Sequence, residues 1–164
     1  MKARAHSCYS VGCPMLPLAG WIVLCLAASA TAVFVSTDGW YAALEKPAWN
    51  PPPWVFAPVW TVLYILMGLS AWLVWRRGGW KEQGRPLGWF LFQMALNALW
   101  TPLFFGLHWI GPAFAEIAVL WGVLLLTLVL FWRVNTLAGL LLVPYLLWVS
   151  FAACLNFALW RLNG

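Results

Sequence analysis

Trp60 and Tyr64 are four residues apart and share one face of a helix, as do Gln93 and Asn97, with Trp100 a turn further on. Tyr145, Trp148, Ala152 and Asn156 recur at steps of three and four, which makes one stripe. Each group sets a flat apolar ring beside a hydrogen-bonding atom. An indole or phenol offers a face for stacking and a polar edge, and a carboxamide offers both donor and acceptor. That combination suits recognition of a flat, largely apolar ligand. For any single residue the plainer reading is a helix-packing hydrogen bond of about 1 kcal/mol. Nothing in the chain resembles a hydrolytic triad, and no CxxC or Cys/His zinc spacing occurs, so neither a metal nor a resident cofactor is expected. Cys8, Cys13, Cys25 and Cys154 read as free thiols. Glu116 has no acidic neighbour in any apolar run with which to form a proton relay, and His108 falls in a short connection.

The elements that carry these residues are membrane helices. With 65% hydrophobic and 8% charged residues among 164, the chain has too little charge to clothe a soluble domain. Five apolar runs, near 16–35, 54–75, 86–107, 113–132 and 137–160, are each long enough to cross ~30 Å of hydrocarbon. The fold class is therefore all-α, a five-span bundle occupying 16–164 behind an N-terminal extension, 1–15. The segment Ala28–Ala32 resembles a signal-peptide cleavage site, but the apolar run continues through Val33, Phe34 and Val35, as a span would. A membrane interior penalises unpartnered polar groups, so Thr61, Tyr64, Gln93, Asn97, Thr101, Glu116, Tyr145, Ser150 and Asn156 are the candidates for function. Helical rise places Trp60 about 9 Å below Trp54, Asn97 about 15 Å from Leu107 and Trp148 about 18 Å from Trp160. The three stripes meet in one half of the bundle, where a ligand pocket is the better reading.

Over that half lies the first loop, 37–53, with Trp40, Trp49 and Pro51 to Pro53 running into Trp54. Consecutive prolines stiffen the chain, and a long ordered connection is usually functional. The expectation is a lid containing Trp40, Trp49, Pro51 and Trp54. The second loop, with Gly78, Gly79 and Gly84, reads as a plain solvated turn, and Pro102 and Pro144 should bend their helices. Seven of the nine basic residues, Lys2, Arg4, Arg76, Arg77, Lys81, Arg85 and Arg133, fall on the side opposite the lid. The positive-inside rule makes that side cytoplasmic and puts the N-terminus inside. The net charge of +5 reads as a topology signal, with no nucleic-acid surface. Trp21, Trp75, Trp80, Trp89, Trp109, Trp132 and Trp160 near span ends read as interfacial anchors, while Trp72 and Trp121 read as packing residues.

Several motifs together resemble the TspO/MBR (translocator protein) family: Trp40-Tyr41, Lys46-Pro47-Ala-Trp49, Pro51-Pro52-Pro53-Trp54, Pro58-Val59-Trp60-Thr61 and Leu63-Tyr64. They continue in Asn97-Ala-Leu-Trp100, Phe104-Phe105-Gly106, Pro144-Tyr145-Leu-Leu-Trp148, Leu155-Asn156 and Trp160-Arg161. The similarity runs from about Leu18 to Arg161. It implies a five-helix protein of a bacterial cytoplasmic membrane, often dimeric, that binds porphyrin or haem beneath the first loop. The implied contacts are Trp60, Asn97 and Trp148. With the stripes of the preceding paragraphs, the expected ligand wall is Trp60, Tyr64, Asn97, Trp100, Tyr145, Trp148 and Ala152. The resemblance also implies cholesterol binding in some members, through a motif that asks for tyrosine where this chain has Phe157 between Leu155 and Arg161. Sensing, transport or disposal of a tetrapyrrole is the leading expectation. Light-dependent protoporphyrin oxidation, with Trp60 and Trp148 as the candidate reactive residues, is the enzymatic alternative. A small-molecule transporter or regulatory membrane scaffold is a third. Ala28-x-x-x-Ala32 is a small-residue contact pattern of the kind that pairs helices in a dimer.

Overall fold

The computed structural model describes residues 15–29 and 39–164, so residues 1–14 of the N-terminal extension and Ala32, Val33, Phe34 and Val35 lie outside the described residues. Among the described residues every regular element is helical: α1 Met15–Ala28, α2 Trp40–Ala43, α3 Phe56–Trp75, α4 Gly79–Thr101, α5 Ile110–Val134 and α6 Thr136–Asn163. A 3-10 turn, Pro53–Val55, leads into α3, and a π-helical turn, Pro102–Gly106, follows α4. Pro53–Trp75, Ile110–Val134 and Thr136–Asn163 are each long and apolar enough to span a bilayer. The fourth long helix, α4, carries Lys81, Glu82 and Arg85 in its first two turns, and its apolar stretch starts at Pro86. The architecture is a helical membrane bundle.

Connectivity makes the long helices antiparallel neighbours, with α1 against α3, α3 against α6, α6 against α5 and α5 against α4. Gly68 lets α1 approach α3 closely, because a Cβ there would meet the Ile22 backbone at 2.7 Å. At the core Phe90 of α4 stacks on Phe131 of α5, ring centroids 5.5 Å apart. Away from the lid, the Ser70 hydroxyl donates to the Ala138 carbonyl at 2.7 Å and joins α3 to α6. Asn135 caps α6 by accepting from the Leu137 and Ala138 amides.

Three expectations about these elements need correction. The stretch from Gly79 to Arg85 is helical, so the second connection shrinks to Arg76–Gly78. The helix bends at Gln83 (φ −112°, ψ 18°), because Pro86 lacks an N–H and its ring crowds the carbonyl four residues earlier. Pro102 ends α4 and opens the wider π turn, in which the Leu107 amide donates to the Pro102 carbonyl at 2.9 Å. Trp21 is buried: it packs against Phe90 and Trp80, with centroids 6.0 and 6.1 Å away, and is a core residue.

Candidate functional site

Asn97 is the hub. Its carboxamide oxygen accepts from the Tyr64 hydroxyl at 2.8 Å, and its amide nitrogen donates to the Tyr145 hydroxyl at 3.0 Å. One side chain thereby joins α3, α4 and α6, and all three residues are buried. The rings of Tyr64 and Tyr145 also touch Trp60, at 5.5 Å and nearly parallel for Tyr64 and at 6.1 Å and inclined for Tyr145. Trp148 stands perpendicular to Trp60 at 6.5 Å. A polar chain backed by four rings is therefore assembled from the two faces predicted on the second and fifth spans and from Asn97 of the third. Ala152, one turn after Trp148, is a small, partly buried residue packed, like Trp148, against the same core.

Trp100 belongs to a neighbouring group. It stacks on Phe104 at 5.0 Å and 15°, and meets Phe105 edge-on at 5.9 Å. With the Asn156 carboxamide oriented to satisfy both its atoms, its oxygen accepts from Trp100 Nε1 at 3.2 Å and its nitrogen donates to the Ile110 carbonyl at 3.1 Å. Trp100 is thus fixed on the α4–α5–α6 side, one turn from Asn97 and apart from the Trp60–Trp148 pair.

The first loop packs onto both groups. Trp40 lies edge-on to Phe104 at 5.6 Å and stacks on His108 at 4.2 Å, and Tyr41 meets Phe105 at 5.4 Å. Trp49 meets Phe151 at 5.7 Å, and Phe151 in turn meets Trp148 at 5.6 Å, so an aromatic path runs from lid to site. Asn163, at the end of α6, pairs with the backbone of Glu45 as a strand would: its oxygen accepts from the Glu45 amide and its nitrogen donates to the Glu45 carbonyl, both at 2.9 Å. Within the loop the Tyr41 hydroxyl donates to Asn50 at 3.1 Å, and Lys46 Nζ donates to the Ala42 and Leu44 carbonyls at 3.0 Å while lying over the Tyr41 ring. Burial pushes the Tyr41 phenol above its ordinary value. Pro51 is half-buried, and its carbonyl accepts from Asn50. Trp54 does not join the lid: it is 74% exposed at the mouth of α3.

In this form the rings fill the space between them. A planar ligand sandwiched between two rings needs two contacts of ~3.5 Å, about 7 Å in all, more than the 5.5–6.5 Å between Trp60 and its neighbours. Two surface concavities formed by the described residues lie elsewhere, one of about 490 Å³ along α4 and one of about 180 Å³ at the far end of the bundle.

The remaining polar residues of the spans divide. Thr61 faces outward and donates to Ala57 of its own helix. Ser150 accepts from Trp121 Nε1 at 2.8 Å, an α5–α6 packing contact. Gln93 shares the Asn97 face and is fully buried, but it stands outside the hydrogen-bonded chain: neither of its amide atoms has a partner among the described residues, and the same holds for both Glu116 carboxylate oxygens. Among the described residues no three His, Cys, Asp or Glu side chains converge to hold a metal ion. Sequence reasoning missed Phe56, Phe151 and Asn163 as site and lid contacts. Phe56 lies 5.9 Å from Trp148. Phe151 follows Trp148 at the helical step of three and was in principle visible. Asn163 bonds a residue 118 positions away and carries no local signal.

A family model described as TspO/MBR matches residues 16–161. Over 147 residues the chain is 44% identical to "Protein CrtK" of Rhodobacter capsulatus, covering 87% of this chain and 90% of that protein. It is 42% identical over 143 residues to the "Tryptophan-rich sensory protein" of Cereibacter sphaeroides, covering 87% and 89%. The human "Translocator protein" is 44% identical over 134 residues, 79% of each chain.

Proposed function

This chain belongs to the TspO/MBR family, and on that premise we propose that it binds a tetrapyrrole, a porphyrin or haem, in the membrane and serves its sensing, transport or disposal. The observation that carries the reading is the Trp60–Tyr64–Tyr145–Trp148 ring group around Asn97, covered by an ordered aromatic loop. A porphyrin is a flat apolar plate with carboxylates on its edge. Its plane gains from stacking on indole and phenol faces. Its carboxylates, costly to bury, remain toward the mouth under the lid. Asn97 and the indole N–H groups supply donors within an otherwise apolar wall. Because the rings are in mutual contact, the ligand enters by lifting the 39–53 segment and displacing Trp60 from its neighbours. The names of two relatives, a sensory protein and a translocator, favour a role in which binding is read out or passed on. The location that goes with this reading is a bacterial cytoplasmic membrane, with the lid on the outer face and the basic connections inside.

Titration of purified protein with protoporphyrin, read by tryptophan quenching, tests this. Saturable quenching is expected. Trp60→Phe and Trp148→Phe should each weaken binding about three- to tenfold, since one aromatic contact contributes ~0.5–1.5 kcal/mol. Quenching that does not saturate, or affinity unchanged in both variants, overturns the pocket. The pairing of two indoles, Trp60 and Trp148, also favours a second reading, in which light-excited porphyrin bound beside them is oxidised by dioxygen, the dioxygen being reduced. Porphyrin band loss under illumination at the rate of free porphyrin in detergent rules that reading out.

A further inference from the structure

The basic residues of the second connection read from sequence as a topology signal, and the fold gives two of them a shared cleft. At the end of the bundle opposite the aromatic site, Leu73, Arg76, Arg77 and Asn135 line a concavity of about 180 Å³ between the end of α3 and the start of α6. That is well below the ~300 Å³ at which pockets take drug-sized molecules, and it suits a small headgroup.

Every polar side chain on this wall is a donor. The Arg76 guanidinium carbon lies over the Trp72 ring, 4.6 Å from its centroid, a cation–π contact that holds the side chain at the helix end. Backbone bonds from Arg76 to Trp72 and from Arg77 to Val74 fix the pair in the turn that follows α3. Neither arginine has an ion pair among the described residues. Glu82, the acidic residue next along the chain, lies against Gly78 and does not line the cleft. Asn135 spends its carboxamide oxygen on the Leu137 and Ala138 amides, so its nitrogen is the atom left to donate. Two guanidinium groups, one amide donor and no carboxylate describe a receptor for a tetrahedral oxyanion.

We propose that this cleft binds a phosphate group, supplied by an anionic phospholipid headgroup or by free phosphate. Its place at the ends of membrane-spanning helices favours the lipid. The arginines fork the phosphate oxygens, Asn135 donates to a third oxygen, and the attraction weakens with salt because the cleft opens to solvent.

The test uses full-length protein in neutral detergent, with bound lipid counted by native mass spectrometry against phosphatidylglycerol and phosphatidylcholine, and with inorganic phosphate as competitor. Wild type should prefer phosphatidylglycerol, and Arg76→Gln/Arg77→Gln should lose that preference by about tenfold or more. Lys81→Gln/Arg85→Gln removes the same charge outside the cleft and should retain it. Asn135→Asp keeps a good helix cap but puts a carboxylate where the donor was, so binding should fall while Lys81→Gln, an equal change in net charge, leaves it in place. Displacement of the lipid by millimolar phosphate, with phosphate alone binding wild type and not Asn135→Asp, assigns the site to free phosphate; resistance to it assigns the lipid. Equal losses in the two double variants, or no loss in Asn135→Asp, overturn the cleft and leave only diffuse charge.

Discussion

Replacing Asn97 with leucine keeps the number and branching of the side-chain heavy atoms and removes both hydrogen bonds that join α3, α4 and α6. Interhelical hydrogen bonds in a membrane protein average ~0.6 kcal/mol with a ceiling of ~1.7, so the two together contribute about 1–3 kcal/mol. The loss leaves the Tyr64 and Tyr145 hydroxyls without this partner at 6% and 0% exposure. An unsatisfied buried group adds ~1 kcal/mol or more. The expected destabilisation is therefore about 2–4 kcal/mol, read as a lowered midpoint in mixed-micelle unfolding. The informative comparison is Tyr64→Phe/Asn97→Leu/Tyr145→Phe, which removes every polar atom of the chain together. Removing both partners of a buried bond is nearly neutral, so the triple variant should recover most of the loss, a coupling that additive effects cannot give. A single variant as stable as wild type, or a triple variant worse than the single one, refutes the reasoning that Asn97 is a satisfied buried hub.

Asn163→Ala should free the lid without touching the ring group: both bonds to Glu45 vanish, and protease cleavage or hydrogen exchange at residues 45–50 should rise severalfold while the helices hold their protection. Lid docking should also depend on alkaline pH. The half-buried Tyr41 phenol is pushed above its ordinary value of 10.0 by partial desolvation, so the docked state holds its proton longer than the free loop. Docking is then fully stable below pH 10 and weakens as pH rises beyond it. Exchange of the loop amides should accelerate there in wild type and stay flat in Tyr41→Phe.

The convergence of Trp60, Tyr64, Asn97, Tyr145 and Trp148 was legible because helix period and rise are nearly invariant. Counting residues from each span end gives depth, and steps of three and four give the face. The same bookkeeping misplaced Trp21, which counts as a span end yet is buried because Phe90 and the start of α4 lie against it. It read Gly79–Arg85 as a turn because glycine and charge disfavour a membrane helix, whereas outside the apolar stretch a helix tolerates both. Trp100 sits at the expected depth, but the π turn after Pro102 brings Phe104 onto its face and draws it away from Trp60. Phe56 was indistinguishable from an ordinary packing residue, since an apolar ring gives no signal of which cluster it joins, whereas the step of three from Trp148 to Phe151 was readable. The lid's attachment through Asn163 depends on the first loop meeting the end of α6, 118 residues away, which no local pattern encodes.

The central claim is that a porphyrin occupies the ring group under the lid. The chain's 15 tryptophans are internal reporters of where it sits. Illumination of a substoichiometric protoporphyrin complex, followed by peptide mass spectrometry, maps the indoles oxidised next to the excited ring. The account predicts preferential modification of Trp60 and Trp148, half-buried as they are, with suppression when Trp60 is replaced by phenylalanine. Modification confined to the exposed Trp54, Trp80 and Trp109, in the pattern given by porphyrin free in the micelle, would contradict it.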